Sequence, residues 1–113
     1  MTEPDKRHKS RYDSLNLSYV LVDEDGNFIE QGVGRTLNVS QSGLCLETPF
    51  ETNTRQSLLL TIALEKELVE LRGKVVYCRA GAGQMFETGV AFTEISPKDT
   101  DTLEKFIQIF RQK

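Results

Sequence analysis

The spacing of apolar residues along the chain predicts a series of short strands. From Leu15 to Leu21 every second residue is large and apolar, and this period of two is typical of a half-buried strand. Apolar segments bounded by polar or glycine-rich turns predict five further strands, at residues 28–37, 44–48, 58–64, 68–79 and 85–92.

Two glycine signals accompany these strands. Asp25-Gly26 is typical of a hairpin turn, because glycine adopts the positive φ that such turns need. Gly32 and Gly34 fall inside the second strand, where glycine predicts a bulge or a tight bend.

The end of the chain predicts an amphipathic helix at about residues 96–112. Ser96 is a favourable N-cap, and Pro97 suits the first helical position. Four apolar residues then recur with helical spacing and form one stripe: Leu103, Phe106, Ile107 and Phe110. We expect this stripe to pack on the strands, although pairing between subunits is an open alternative.

Together these elements predict a mainly β fold, a small six-stranded antiparallel barrel with a C-terminal α-helix. A length of 113 residues suits one domain. Residues 1–13 are polar and charged without apolar periodicity, so we expect a flexible N-terminal arm. The barrel and helix are expected at residues 14–113.

The charge distribution favours a small anionic ligand. The formal net charge is -3, but Lys6, Arg7, Lys9 and Arg11 put four cations within six positions. A local basic segment on an acidic body suits a compact anion better than a long polyanion, so no DNA or RNA partner is expected.

Cysteine usage and hydropathy predict a cytoplasmic protein. Cys45 and Cys78 are far apart and form no CxxC pair, which favours two reduced cysteines in strands. No apolar run approaches the roughly 18 residues of a membrane-spanning helix. Residues 2–5 are unsuited to a secretory signal, so no membrane insertion is expected.

The sequence lacks the parts of a catalytic site. The single histidine, His8, lies in the predicted arm, and no His, Cys, Asp and Glu grouping has metal-ligand spacing. A GxxxxGK phosphate loop is also missing from the sequence. We therefore expect a binding protein with no enzymatic activity, metal or cofactor.

Two motifs remain as candidate ligand contacts. Arg7 and Arg11 have Arg-x-x-x-Arg spacing, and guanidinium groups bind phosphate oxygens or the O6 and N7 edge of guanine. Asn38, Ser40 and Gly43 form an Asn-x-Ser-x-x-Gly turn. Its amide and hydroxyl can satisfy a base edge, while glycine permits a left-handed residue and close approach of a ligand.

The order of these motifs resembles the PilZ family. The arginine motif precedes the first strand, the Asn-x-Ser-x-x-Gly turn follows the second, and Gly-Val-Ala-Phe at 89–92 resembles a pattern in the family's last strand. The resemblance implies a bacterial receptor for cyclic di-GMP that acts on motility, surface polysaccharide or secretion. It also implies that the two arginines contact guanine and phosphate, and that the turn receives a guanine.

The resemblance implies further details of binding. Lys6, just before the first arginine, is an additional candidate contact that favours an intercalated pair of ligand molecules over one. We expect the ligand to order the arm across the barrel and to create a surface for a protein partner that the sequence does not identify. The alternatives are a ligand-independent PilZ adaptor and a small nucleic-acid-binding barrel.

Overall fold

The computed structural model describes residues 16–64 and 67–111 of the chain. These residues form six strands and one helix, which confirms the predicted fold class. The elements are β1 (Asn16–Val22), β2 (Phe28–Val39), β3 (Gly43–Thr48), β4 (Ser57–Leu64), β5 (Glu67–Ala80), β6 (Phe86–Glu94) and α1 (Pro97–Arg111).

The six strands form a closed antiparallel barrel in the order β1-β2-β3-β6-β5-β4. Pairing of β1 with β4 closes the barrel. The β3 strand pairs with β6, so the segment 49–56 carries the chain across the barrel from β3 to β4. Closure satisfies the strand edges, which are otherwise open to pairing with other chains.

The first hairpin has the turn that its sequence predicts. Gly26 has a φ of 86°, in the region that favours glycine. Asp23 Oδ1 accepts hydrogen bonds from the backbone N–H of Asp25 at 2.9 Å and of Asn27 at 2.8 Å. The Asn27 backbone bond in particular lowers the pKa of Asp23.

Alternating apolar residues fill the barrel interior. Leu46, Leu58 and Leu60 are fully buried, and the inward positions of β1 join them. The α1 helix packs on this core through the predicted apolar stripe. Leu103 is 1% exposed and Phe106 is 2% exposed. Within the described residues, no helix combines the length and apolarity needed to cross a bilayer.

Polar contacts cap the start of the α1 helix and hold its middle against the barrel. Ser96 Oγ accepts from the backbone N–H of Asp99 at 3.1 Å, as expected of an N-cap. Glu67 of β5 accepts from Thr102 Oγ1 at 2.7 Å and from Lys105 Nζ at 3.0 Å. The Thr102 bond is the main reason that the pKa of Glu67 is lowered.

The glycine-based prediction of a bulge in β2 was wrong in position. The β1–β2 register runs regularly through Gly32 and Gly34. A Cβ on Gly32 would lie 2.9 Å from the Tyr19 hydroxyl oxygen, so this glycine makes room for a buried ring. Register shifts fall elsewhere, including between Thr36 and Asn38 on β2 and between Val75 and Tyr77 on β5.

Candidate ligand-binding site

Ser40 shapes the turn between β2 and β3. Its backbone N–H donates to the Gly43 carbonyl at 2.8 Å, which closes the turn. Its hydroxyl lies 3.2 Å from the Ser42 hydroxyl and accepts from the Ser42 N–H at 3.3 Å. This side-chain-to-backbone bonding is the local reason for a serine at this position.

Asn38 lies near the end of β2, where a bulge sets its direction. Thr36 is buried, so regular alternation would also point Asn38 inwards. The register shift between the two residues turns Asn38 outwards, and it is exposed. Its Oδ1 accepts from the Val39 N–H at 2.9 Å, while the amide NH₂ group supplies two further donors.

Gly43 permits close approach of two strands. A Cβ at this position would lie 2.1 Å from the Val90 carbonyl oxygen, so any side chain would push β3 away from β6. The expectation of a left-handed residue here was wrong, since the described glycines with positive φ are Gly26 and Gly83. The glycine is required because β6 passes directly beside the turn.

The turn forms one wall of an outward-facing cleft of about 260 Å³. Asn38, Ser40 and Gly43, the three predicted turn residues, all line it. Strands β5 and β6 line the other side of the cleft with Val76, Tyr77, Val90 and Ala91. Thus the structure brings the three motif residues of the turn to one cavity.

Tyr77 also lines the cleft, although the sequence pattern predicted only that it lies within a strand at residues 68–79. Val75 is buried, and the register shift after it turns the next residues outwards, leaving Tyr77 41% exposed. Its ring lies over Gly89, where a Cβ would be 2.2 Å from the ring. The sequence feature that could have indicated Tyr77 as a site residue is Arg79 two positions later. The Arg79 guanidinium carbon lies 5.3 Å from the centroid of the Tyr77 ring.

Cys45 connects the two walls of the cleft. It pairs with Asn38 on one side and with Gly89 on the other. A hydrogen bond to the Cys45 sulfur raises the pKa of the Tyr77 hydroxyl, and burial raises the pKa of the Cys45 thiol. Both cysteines are free and lie in strands, as predicted, with Cys78 on β5.

We name these four cross-strand residues the site row: Asn38, Cys45, Gly89 and Tyr77. Each comes from a different strand, in the order β2, β3, β6 and β5. The two central residues are small and lie beneath the Tyr77 ring, so the row forms a shallow floor with a polar amide at one end and an aromatic ring over the rest. Such a floor suits a flat ligand with hydrogen-bonding edges.

The turn also contacts the α1 helix. Gln41, at the centre of the turn, donates from Nε2 to Glu104 Oε2. The predicted contacts Lys6, Arg7 and Arg11 lie outside the described residues. Across 16–64 and 67–111, no group of three or more His, Cys, Asp or Glu residues is arranged to hold a metal ion.

Comparison with known families identifies the fold. The family model of the PilZ domain matches residues 5–108. The chain belongs to the PilZ family. PilZ domains are generally receptor or effector domains for cyclic di-GMP, and they are binding domains rather than catalytic ones.

Two solved structures resemble this PilZ domain in fold. The crystal structure of the PilZ domain of CeSA, from a cellulose-synthesizing bacterium, has a TM-score of 0.56 and 16% identity over 82% of this chain and 90% of that one. MrkH, described as a c-di-GMP-dependent transcription regulatory factor, has a TM-score of 0.53 and 14% identity over 87% of this chain and 46% of its own. No curated protein matched the sequence.

Proposed function

We propose that this PilZ domain is a receptor for cyclic di-GMP. Asn38, Ser40 and Gly43 receive one guanine, while Arg7 and Arg11 bind phosphate and guanine. The observation that carries the proposal is the shared cleft, since all three turn residues line one cavity beside an exposed aromatic ring. The family match over residues 5–108 supports the same ligand.

The chemistry of the cleft is compatible with a guanine base. Guanine presents N–H donors and carbonyl and ring-nitrogen acceptors in one plane. The Asn38 amide can donate and accept, and the Ser40 hydroxyl can do the same. The Tyr77 ring adds a flat apolar surface that favours stacking.

Arg7 and Arg11 supply the positive charge that the ligand phosphates need. Cyclic di-GMP carries two phosphates, and the described residues that line the cleft include no charged side chain. Charge-assisted hydrogen bonds from Arg7 and Arg11 would offset the cost of ordering a polar arm that cannot bury apolar area. We therefore propose that the ligand orders residues 1–13 across the barrel.

The contact between the turn and α1 suggests how binding reaches a protein partner. Gln41 of the turn donates to Glu104 of the helix, so a shift of the turn would alter the helix surface. The ordered arm and this helix would together form the surface that a downstream partner recognises. Nuclear magnetic resonance relaxation tests the arm: amides of residues 1–13 should lose fast motion only on ligand addition.

Calorimetric titration with cyclic di-GMP tests the receptor assignment. We expect micromolar or tighter affinity for the wild type and its loss in the Arg7→Ala/Arg11→Ala variant. Arg55→Ala/Arg72→Ala removes the same charge from exposed positions elsewhere on the barrel and should bind normally. A folded wild type that gives no heat would contradict the proposal and favour a ligand-independent adaptor.

The same titration measures stoichiometry. Lys6 adds a cation just before the arginine motif, which favours two intercalated ligand molecules per domain. A ratio of one ligand per folded domain would contradict this part of the proposal.

A further inference from the structure

A row of charged side chains runs parallel to the site row. Glu47, Glu87 and Arg79 lie two residues along their strands from Cys45, Gly89 and Tyr77 respectively, a step of about 7 Å. Glu47 pairs with Glu87, and Glu87 with Arg79, while Arg35 forms an ion pair with Glu47. We name this set the charged row: Arg35, Glu47, Glu87 and Arg79.

Two glutamates, Glu47 and Glu87, lie opposite each other at the centre of the charged row. Like charges directly opposite each other destabilise a sheet, and each glutamate here has an arginine on its outer side. The Arg79 Nε lies 2.9 Å from Glu87 Oε1, and the Arg79 side chain is 68% exposed. Screening by solvent makes such an exposed ion pair weak, so a ligand can replace it at low cost.

Arg79 also adjoins the cleft. Its guanidinium carbon lies 5.3 Å from the centroid of the Tyr77 ring, which lines the cavity. The Nε bond to Glu87 uses one of five guanidinium donors. The group is therefore positioned beside the cleft with donors for another acceptor.

The size of the cleft indicates that a ligand extends beyond it. A volume of about 260 Å³ is below the roughly 300–1,000 Å³ of pockets that enclose most of a small ligand. A dinucleotide with one base in the cleft must place its phosphates over the rim. Arg79 lies on β5 next to Tyr77, which lines the cleft on the side that faces the turn between β2 and β3.

We propose that Arg79 is a further ligand contact, and that Glu87 is a positioning residue that competes with the ligand phosphate for it. This inference rests on the proposed cyclic di-GMP function. On binding, the guanidinium exchanges the Glu87 carboxylate for a phosphate oxygen and stays beside Tyr77. Glu87 thereby lowers affinity, because the ligand phosphate must replace its carboxylate as the partner of Arg79.

Calorimetry with cyclic di-GMP on folded single and double variants tests this exchange. Arg79→Gln should weaken binding about tenfold or more, since it removes a charge-assisted hydrogen bond. Glu87→Gln should tighten binding about two- to fivefold. In the Arg79→Gln background, Glu87→Gln should have no effect, because the glutamate acts through Arg79.

The controls are Arg72→Gln and Glu70→Gln, which make the same charge changes at exposed positions on β5. Both should bind within about twofold of the wild type. Normal binding by Arg79→Gln would overturn the inference while leaving the proposed function intact, as would equal tightening by Glu87→Gln with and without Arg79. Failure of the folded wild type to bind would overturn the proposed function and this inference together.

Discussion

Asn38 and Tyr77 occupy the two ends of one row across four strands of the barrel. Three strand spacings separate their backbones, a distance of about 14 Å. Because the Tyr77 ring lies over Gly89 and its hydroxyl meets Cys45, the ring borders the same cleft as Asn38. A motif residue and an aromatic residue that are far apart in sequence thus contribute to one candidate site.

The Tyr77 ring should contribute to affinity for cyclic di-GMP. Tyr77→Ala should weaken binding by about 1–3 kcal/mol, the usual value of stacking one base on an aromatic side chain. Tyr77→Phe keeps the ring, loses only the hydroxyl bond to Cys45, and should bind nearly as well as the wild type. Calorimetry compares the three proteins, and equal affinity in all of them would exclude stacking on this ring.

Gly89 should control the position of that ring. A Cβ at Gly89 would lie 2.2 Å from the Tyr77 ring, so Gly89→Ala must displace it. We expect a cost of about 1–3 kcal/mol in the free energy of unfolding, together with weaker ligand binding. Denaturant unfolding and the NMR shifts of the Tyr77 ring measure the two effects, and unchanged ring shifts in the variant would contradict the expected displacement.

Gly43 should be required by the fold itself. In Gly43→Ala the new methyl group would clash with the Val90 carbonyl, a backbone atom that cannot rotate away. We expect a loss of about 1–3 kcal/mol or more in the free energy of unfolding. Ser42→Ala, in the same turn but exposed, should lose under about 0.5 kcal/mol. Similar unfolding midpoints for the two variants would contradict this expectation and show that β3 and β6 can move apart at little cost.

The α1 helix should depend on Phe106 for its attachment to the barrel. Phe106 is 2% exposed within the core, so Phe106→Ala should cost about 3–5 kcal/mol. Gln108→Ala changes an exposed position of the same helix and should be nearly neutral. Urea unfolding of both variants checks the difference, and a small effect of Phe106→Ala would indicate that the helix packs elsewhere.

Glu67 should make stability depend on acidic pH. Hydrogen bonds from Thr102 and Lys105 lower its pKa from the ordinary value of 4.5 in the folded protein. The resulting stabilisation is fully present above the unfolded value and is lost as pH falls through the lowered folded value. Urea unfolding between about pH 6 and about pH 3 should therefore show a shallower acid loss in Glu67→Gln.

Glu70→Gln is the matched control for that experiment. It removes one carboxylate three residues along β5, at an exposed position. Its acid profile should follow that of the wild type. If both variants flatten the profile equally, general charge repulsion explains the acid loss better than the bonds to α1 do.

Local patterns in the sequence were sufficient for the fold. Alternation places Leu17 and Tyr19 inside the barrel, and helical spacing places Leu103 and Phe106 on its core. The Asp25-Gly26 turn also has the predicted conformation. Strand alternation, helical spacing and turn residues each involve positions close together in sequence, so each feature can be predicted from its own segment of the chain.

Only the tertiary structure determined which residues share the candidate site. Regular alternation from Thr36 or Val75 would turn Asn38 and Tyr77 into the core, and a bulge on each strand turns them outwards. The glycine signals placed a bulge elsewhere, because a register shift depends on the partner strand rather than on one segment. The sequence by itself determined the barrel, the helix and the motif turn. Pairing of β3 with β6 and of β6 with β5 brought that turn to the aromatic ring, since closure fixes neighbours that are distant along the chain.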